Sequence, residues 1–262
     1  MLEPTAADIT LCESFDIEGH SPSWYWIRNF AQTFDEHDLG VKSKPFPTDW
    51  EHFPIVCADL DAAMLKKGVS RIAYPKSRQI MVSWLLVAWM TYACWRFGNL
   101  HCAVKGKKEG ESEYQLKRAD HILRHLPVVL SQRSPVKRSI KALIEWENGS
   151  LLEAFPEGSE AIRSRVPTVL FLDEAAYQEN FDESYLAALS NSRIIIMASS
   201  VFPGDFQRIV EDTDAEIDFG GVEPDFGMDR GGDTGRQEGE SGVDTPPPDY
   251  RQHTGKDWRI VV

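Results

Sequence analysis

Polar residues stand where apolar runs stop or begin, and their types fit phosphate chemistry. Val169–Leu172 is a continuous apolar run that ends at the adjacent acids Asp173 and Glu174. Such a run reads as a buried parallel strand, which puts both acids at its carboxyl end, where open α/β sheets place their ligand sites. In nucleotide hydrolases the first acid of such a pair holds Mg²⁺, usually through water, and the second polarises the attacking water. The same pair also suits a plain helix N-terminus, where carboxylates complement the macrodipole. Upstream, a short strand Ser70–Tyr74 runs through Pro75-Lys76-Ser77-Arg78-Gln79-Ile80-Met81-Val82-Ser83 into a strongly apolar helix, about Ser83–Phe97. Strand, loop and helix in that order let backbone N–H groups at the helix start surround phosphate oxygens.

The loop departs from the usual GxxxxGK[ST] phosphate-binding pattern. With Ser83 in the last position, Met81 takes the place of the second glycine and Val82 that of the lysine. Phosphate needs a nearby cation rather than a cation at one chain position, and Lys76 or Arg78 would serve while Ser83 ligates Mg²⁺. A basic turn without a ligand is the competing reading.

Around these residues the chain alternates strand and helix. Trp24–Phe34 has apolar positions at helical spacing, Lys44–Pro47 is extended, and a helix is expected over Pro54–Lys66. After the apolar helix come a strand His101–Val104, a charged loop Lys105–Glu111 and a helix Ser112–His125. Ser131–Lys141 is basic, either a solvated face or a surface near a phosphate backbone. Leu143–Trp146 and Ser150–Phe155 flank Glu147-Asn148-Gly149 and read as a hairpin. Asp182–Leu189 is helical, Arg193–Ala198 is another buried strand ending at Ser199-Ser200, and Trp258–Val262 reads as a last short strand. The pattern is that of an α/β domain with a mainly parallel sheet and flanking helices.

Composition is that of a globular chain, 42% hydrophobic and 26% charged over 262 residues. The longest apolar stretch, Trp84–Ala93, is too short to span a bilayer. Met1–Asp16 is acidic, without the basic start of a secretion signal. Four scattered cysteines without metal-ligand spacing point to free thiols. Net charge is −13, but Asp205–Tyr250 holds fourteen acids against three arginines, a net of −11, so the rest carries only −2. The main body is therefore compatible with a polyanionic partner.

Lys76–Trp84 resembles the deviant Walker A loop of tailed-phage large terminases, the ATPases that drive DNA into preformed capsids, in several of which the lysine moves to the loop's start. Trp24–Phe30 with Lys44–Pro47 is similar to the family's lead-in, Trp146–Ser150 to the hairpin before Walker B, Asp173-Glu174 to Walker B with its catalytic glutamate, and Ser199–Gly204 to the coupling motif. The resemblance covers about Ser23–Phe206, with Trp258–Val262 matching the family's last strand before its nuclease domain. It implies a P-loop NTPase (RecA/ASCE-like) fold with a β-hairpin and a helical lead-in. Composition marks a loose leader 1–22 and a flexible acidic, Gly- and Pro-rich segment 220–250. The resemblance implies an ATPase domain 23–219 and a terminal strand 251–262 at the boundary to an absent nuclease domain, with no DNA cleavage.

Carried over to this sequence, the resemblance makes ATP the substrate, with Lys76 on the β- and γ-phosphates inside a loop of Ser77, Arg78, Gln79, Ile80, Met81, Val82 and Ser83. Ser83 and Asp173 would position Mg²⁺, and Glu174 would activate water. Arg163, with Arg165 as the alternative, would act as a finger in a neighbouring subunit's site. Ser199 and Ser200 would couple hydrolysis to movement, and Pro45 and Phe46 would pack beside adenine. The implied partners are double-stranded DNA, a portal protein, a small terminase subunit and further copies in a ring on the procapsid, in the host cytoplasm and away from membranes. Two other readings stay open: a helicase-like translocase, and a nucleotide-binding module without turnover.

Overall fold

In a computed structural model, residues 3–34, 43–76, 81–199 and 206–207 are described, together with the backbone of 258–260. Helices α1 (Ala6–Glu13) and α2 (Pro22–Phe30) come first, and strands β1 (Gln32–Thr33) and β2 (Lys44–Pro45) pair as a small antiparallel ribbon. Next are α3 (His52–Leu65), β3 (Ser70–Pro75), α4 (Val82–Arg96), β4 (His101–Lys105), α5 (Glu109–Arg124) and α6 (Val128–Arg133). A meander of β5 (Val136–Ile140), β6 (Leu143–Trp146) and β7 (Leu151–Ala154) leads to α7 (Glu160–Arg165). The chain then runs through β8 (Val169–Asp173), α8 (Phe181–Asn191), β9 (Ile194–Ser199) and β10 (Trp258–Ile260).

Among the described residues the main sheet has eight strands in the order β10-β3-β9-β8-β4-β7-β6-β5. The six from β10 to β7 are parallel, and β6 and β5 turn back antiparallel. Both faces of the parallel part are covered, which explains why β8 and β9 are apolar without alternation. Val169, Phe171, Ile194 and Ile196 point into one core, with α2, α3, α4 and α5. Leu170, Leu172, Ile195 and Met197 point into the other, with α7 and α8.

Helix α4 is hydrophobic all round, and every residue of it but Ser83 and Arg96 is buried. Its few polar atoms tie other elements to it. The Trp89 indole donates to Asp61 on α3 (3.0 Å), the Tyr92 hydroxyl to the Cys12 carbonyl of α1 (2.8 Å), and the Trp95 indole to the Leu130 carbonyl of α6 (2.8 Å). These bonds hold steady the helix whose first turn carries Ser83. No described helix is long and apolar enough to cross a membrane, and all four thiols are buried and unpaired.

Two expectations change. The stretch 1–22, expected as a loose leader, contains a helix with a reciprocal Thr5/Asp8 capping box, and Cys12 in it is fully buried. The Tyr25 hydroxyl donates to Asp8 at 2.6 Å, pinning α1 to α2. The basic stretch 131–141 is not one element. Pro135 disfavours helix at Ser134, and the residues beyond it form an edge strand that extends the expected hairpin to three strands. Three of its four cations face carboxylates: Arg133 meets Glu13, Lys137 meets Glu145 at 2.7 Å and Lys141 meets Glu113 at 2.6 Å. The turn at Glu147-Asn148-Gly149 is as expected. Gly149 has φ +84°, and a Cβ there would lie 2.3 Å from the Asn99 amide oxygen.

Asp61 joins α2, α3 and α4. It is 5% exposed and accepts from Ser21 Oγ (2.8 Å), Ser23 N (3.3 Å) and Trp89 Nε1 (3.0 Å). Burial pushes its carboxyl above the usual range, and these donors pull it back. Asp61→Ala strands three donors. It is expected to cost about 2 kcal/mol, lowering Tm by roughly 4–8 °C in a thermal melt; an unchanged Tm would refute the role.

Candidate active site

The carboxyl ends of β3, β9, β8 and β4 lie side by side along one edge of the sheet. Register sets the height of each: Pro75 pairs with Ser199, and Ala198 pairs with Asp173. The Lys76 amide donates to the Ser199 carbonyl at 2.9 Å, which fixes the point where the chain leaves β3. The loop residues Ser77, Arg78, Gln79 and Ile80 lie outside the described residues. The chain returns at Met81, which has φ 52° at the start of α4, a left-handed conformation where the usual phosphate loop has glycine.

Ser83, in the first turn of α4, donates to Asp173 Oδ1 at 2.7 Å. Asp173 is 6% exposed, and its second oxygen, Oδ2, accepts from Gln115 Nε2 of α5. Burial raises the Asp173 carboxyl above its usual range. The Glu174 charge adds to the rise, while the Ser83 hydroxyl and the Lys76 charge oppose it. Glu174 follows at φ 49° and turns back over the edge. Its Oε1 meets Lys76 Nζ at 2.6 Å and its Oε2 lies 3.5 Å from the Ser199 hydroxyl. Lys76, Ser83, Asp173, Glu174 and Ser199, named from the sequence, are thus brought together from four elements.

Ser83 Oγ and the Asp173 carboxylate are both hard oxygen donors, which suits Mg²⁺ entering with a phosphate ligand and its own waters. Among the described residues no group of three or more His, Cys, Asp or Glu forms a cation cage. Ser83 and Asp173 alone fit a metal site that a ligand and water would complete.

Other expected residues lie elsewhere. Val82 is buried in the core and Met81 packs against it. Arg163 is paired with Glu160 at 3.3 Å, and Arg165 is paired with Glu153. Both arginines sit on α7, which leads into the amino end of β8, away from Asp173. Pro45 is exposed on β2, but Phe46 is not available to a base. It is 2% exposed and packs edge-on against Phe53 and Trp84, at 6.4 and 6.2 Å between centroids. An aromatic core next to the ribbon claims that ring. Ser200 lies outside the described residues.

Three residues at this edge were not singled out from the sequence. Gln115 is one. Gln178, 7% exposed, donates from Nε2 to the Asp173 carbonyl (2.8 Å) and the Lys105 carbonyl (2.9 Å), bridging the ends of β8 and β4. Its Oε1 accepts from Lys105 Nζ at 2.8 Å, and Lys105 is only 2% exposed. Burial pushes the Lys105 ammonium below its usual range, opposed by the Glu157 charge. Lysine at the end of an apolar strand is a signal the sequence does carry; a lone glutamine on a polar helix is not.

No protein-family model matches the chain, and no curated protein does. Solved structures match it by fold. The large terminase of bacteriophage HK97 aligns with a TM-score of 0.56 over 72% of this chain, at 14% identity. The ATPase domain of the Thermus phage P74-26 large terminase aligns more weakly, with a TM-score of 0.44 over 58% of this chain and 67% of that one, at 12% identity. The molecule is thus an α/β protein with a mainly parallel sheet covered by helices on both faces. More narrowly, its fold is the one seen in the HK97 large terminase, and it spans 40% of that protein's length. The expected fold class and the resemblance both hold at the level of fold.

Gln178→Leu leaves a buried ammonium without its acceptor, and a loss of about 3 kcal/mol in urea denaturation is expected. Adding Lys105→Met removes the stranded charge and should recover more than half of that loss. Strictly additive losses would show that the two side chains are not coupled.

Proposed function

We propose that the chain is the ATP-hydrolysing part of a tailed-phage DNA-packaging motor, a large terminase. The observation that carries the reading is the meeting of Lys76, Ser83, Asp173, Glu174 and Ser199 at one carboxyl edge. A sheet of the HK97 terminase type supports it. ATP is the substrate. Lys76 and the loop N–H groups take the β- and γ-phosphates, and Ser83 and Asp173 hold Mg²⁺. When bound, that ion would neutralise charge on the phosphate oxygens.

The chain's own residues supply the remaining steps. Lys76, paired with Glu174 in this structure, is drawn to the incoming phosphates. Glu174 is thereby released to accept a proton from the attacking water in line with the γ-phosphate. Ser199, in contact with Glu174, feels that change and passes it with Ser200 into β9. Arg163, or Arg165, completes a neighbouring copy's site in a ring, since both sit on α7 away from Asp173 and Glu174 of their own chain. Pro45 is the exposed candidate for contact with adenine. Double-stranded DNA, a portal protein and a small terminase subunit are the proposed partners, at the procapsid in the host cytoplasm.

Steady-state ATP hydrolysis at high protein concentration tests the reading. Glu174→Gln should reduce turnover by roughly 10²–10⁴-fold. If the unaltered chain is no faster than this variant, the chain is a binding module rather than a motor ATPase.

A second measurement tests the finger. Arg163→Ala subunits mixed with Glu174→Gln subunits should regain part of the activity, because an interface that joins the intact Glu174 of the first to the intact Arg163 of the second is a complete site. A trans arginine is worth about 10³–10⁵-fold in other NTPases. No rescue at any ratio, with rescue by Arg165→Ala mixtures instead, would move the role to Arg165.

A further inference from the structure

Asp173 has two carboxylate oxygens, and the assigned machinery uses one. Oδ1 accepts the Ser83 hydroxyl, while Oδ2 accepts the side-chain amide of Gln115 at 2.5 Å. Gln115 lies within α5 and is 5% exposed. The two ends of a glutamine amide have nearly the same shape, so their orientation follows from what surrounds them. Here the surroundings leave one choice. Arg118, one turn further along α5, donates from Nη1 to Gln115 Oε1 at 2.9 Å. A guanidinium only donates, so the amide oxygen faces Arg118 and the NH₂ faces Asp173.

Arg118 is in turn held between rings. Its guanidinium carbon lies 5.0 Å from the Trp84 ring centroid and 4.8 Å from that of Tyr114. Trp84 is the residue after Ser83. The contacts therefore close a circuit: Ser83 to Asp173, Asp173 to Gln115, Gln115 to Arg118, Arg118 to Trp84, and Trp84 back along the chain to Ser83. Turning the Asp173 carboxylate about its Cβ–Cγ bond breaks a hydrogen bond on each side.

We propose that Gln115 is a positioning residue for the metal site. It holds Oδ2 of Asp173 so that Oδ1, the oxygen shared with Ser83, is the one offered to the Mg²⁺ that accompanies nucleotide. Arg118 keeps Gln115 in the orientation that can donate. This inference rests on the ATPase reading above. It adds that α5, which contributes none of the groups assigned there, sets how tightly the cation is held.

The test measures binding of a fluorescent ATP analogue to the full chain, first in EDTA and then across a Mg²⁺ titration, with a thermal melt for each variant. Gln115→Met keeps length and loses the donor. It should bind the analogue in EDTA like the unaltered chain, while the Mg²⁺ concentration at half-maximal effect rises about tenfold or more, as loss of an outer-sphere partner does at other metal sites. Arg118→Met should shift that midpoint in the same direction by a smaller factor. An unmoved midpoint in folded Gln115→Met overturns the proposal, as does equal weakening with and without Mg²⁺, which marks general damage. Should Gln115→Met not fold, an unmoved midpoint in Arg118→Met overturns it instead. If the unaltered chain binds nucleotide without regard to Mg²⁺, the ATPase reading fails first and this inference falls with it.

Discussion

A carboxylate at the end of a strand buried on both faces must be met by donors, because an unpaired buried charge costs several kcal/mol. Asp173 is that carboxylate, and much of the architecture answers it. Helix α4 brings the Ser83 hydroxyl to one oxygen, α5 brings the Gln115 amide to the other, and Gln178 takes the backbone carbonyl. Lys76, leaving β3, neutralises the neighbouring Glu174. Each donor depends on the placement of a whole element, so the packing of α4 against α1, α3 and α6 bears directly on the geometry at the sheet edge.

Strand order does the rest. Because β9 lies between β3 and β8, Ser199 falls between the cation that ends one strand and the acids that end the other. Parallel pairing brings all these ends to one side. The opposite edge, where β8 begins, receives α7 and its two arginines, which pair with Glu160 and Glu153 rather than with Asp173 or Glu174.

Much of this was legible in the sequence for a physical reason. Unbroken apolar runs mark strands covered on both faces, and a polar residue ending such a run falls at the edge; Asp173, Glu174, Lys76 and Ser199 all obey this. Other features carry weaker marks. Helix α1 lacks an apolar stripe and is held by a cap and a few contacts, so periodicity misses it although Thr5 and Asp8 announce its start. Strand β5 is exposed along its length and basic, which alternation cannot reveal. Phe46 beside a proline has no sequence mark that separates a face for a base from a place in an aromatic core. Gln115 is hidden most completely, since α5 is polar overall and only three-dimensional packing shows that this one amide is turned inward.

Met81 and Glu174 share a backbone conformation that side-chain-bearing residues hold at a cost of roughly 1–2 kcal/mol. For an engineer raising heat resistance the two positions diverge. Glycine at 81 would relax the backbone and give up only an apolar side chain at the core's margin. Glycine at 174 would relax it equally and delete the proposed base. Strain of the same size is thus disposable at one end of the site and bound to chemistry at the other, and a screen that selects on stability alone would drift toward an inert protein.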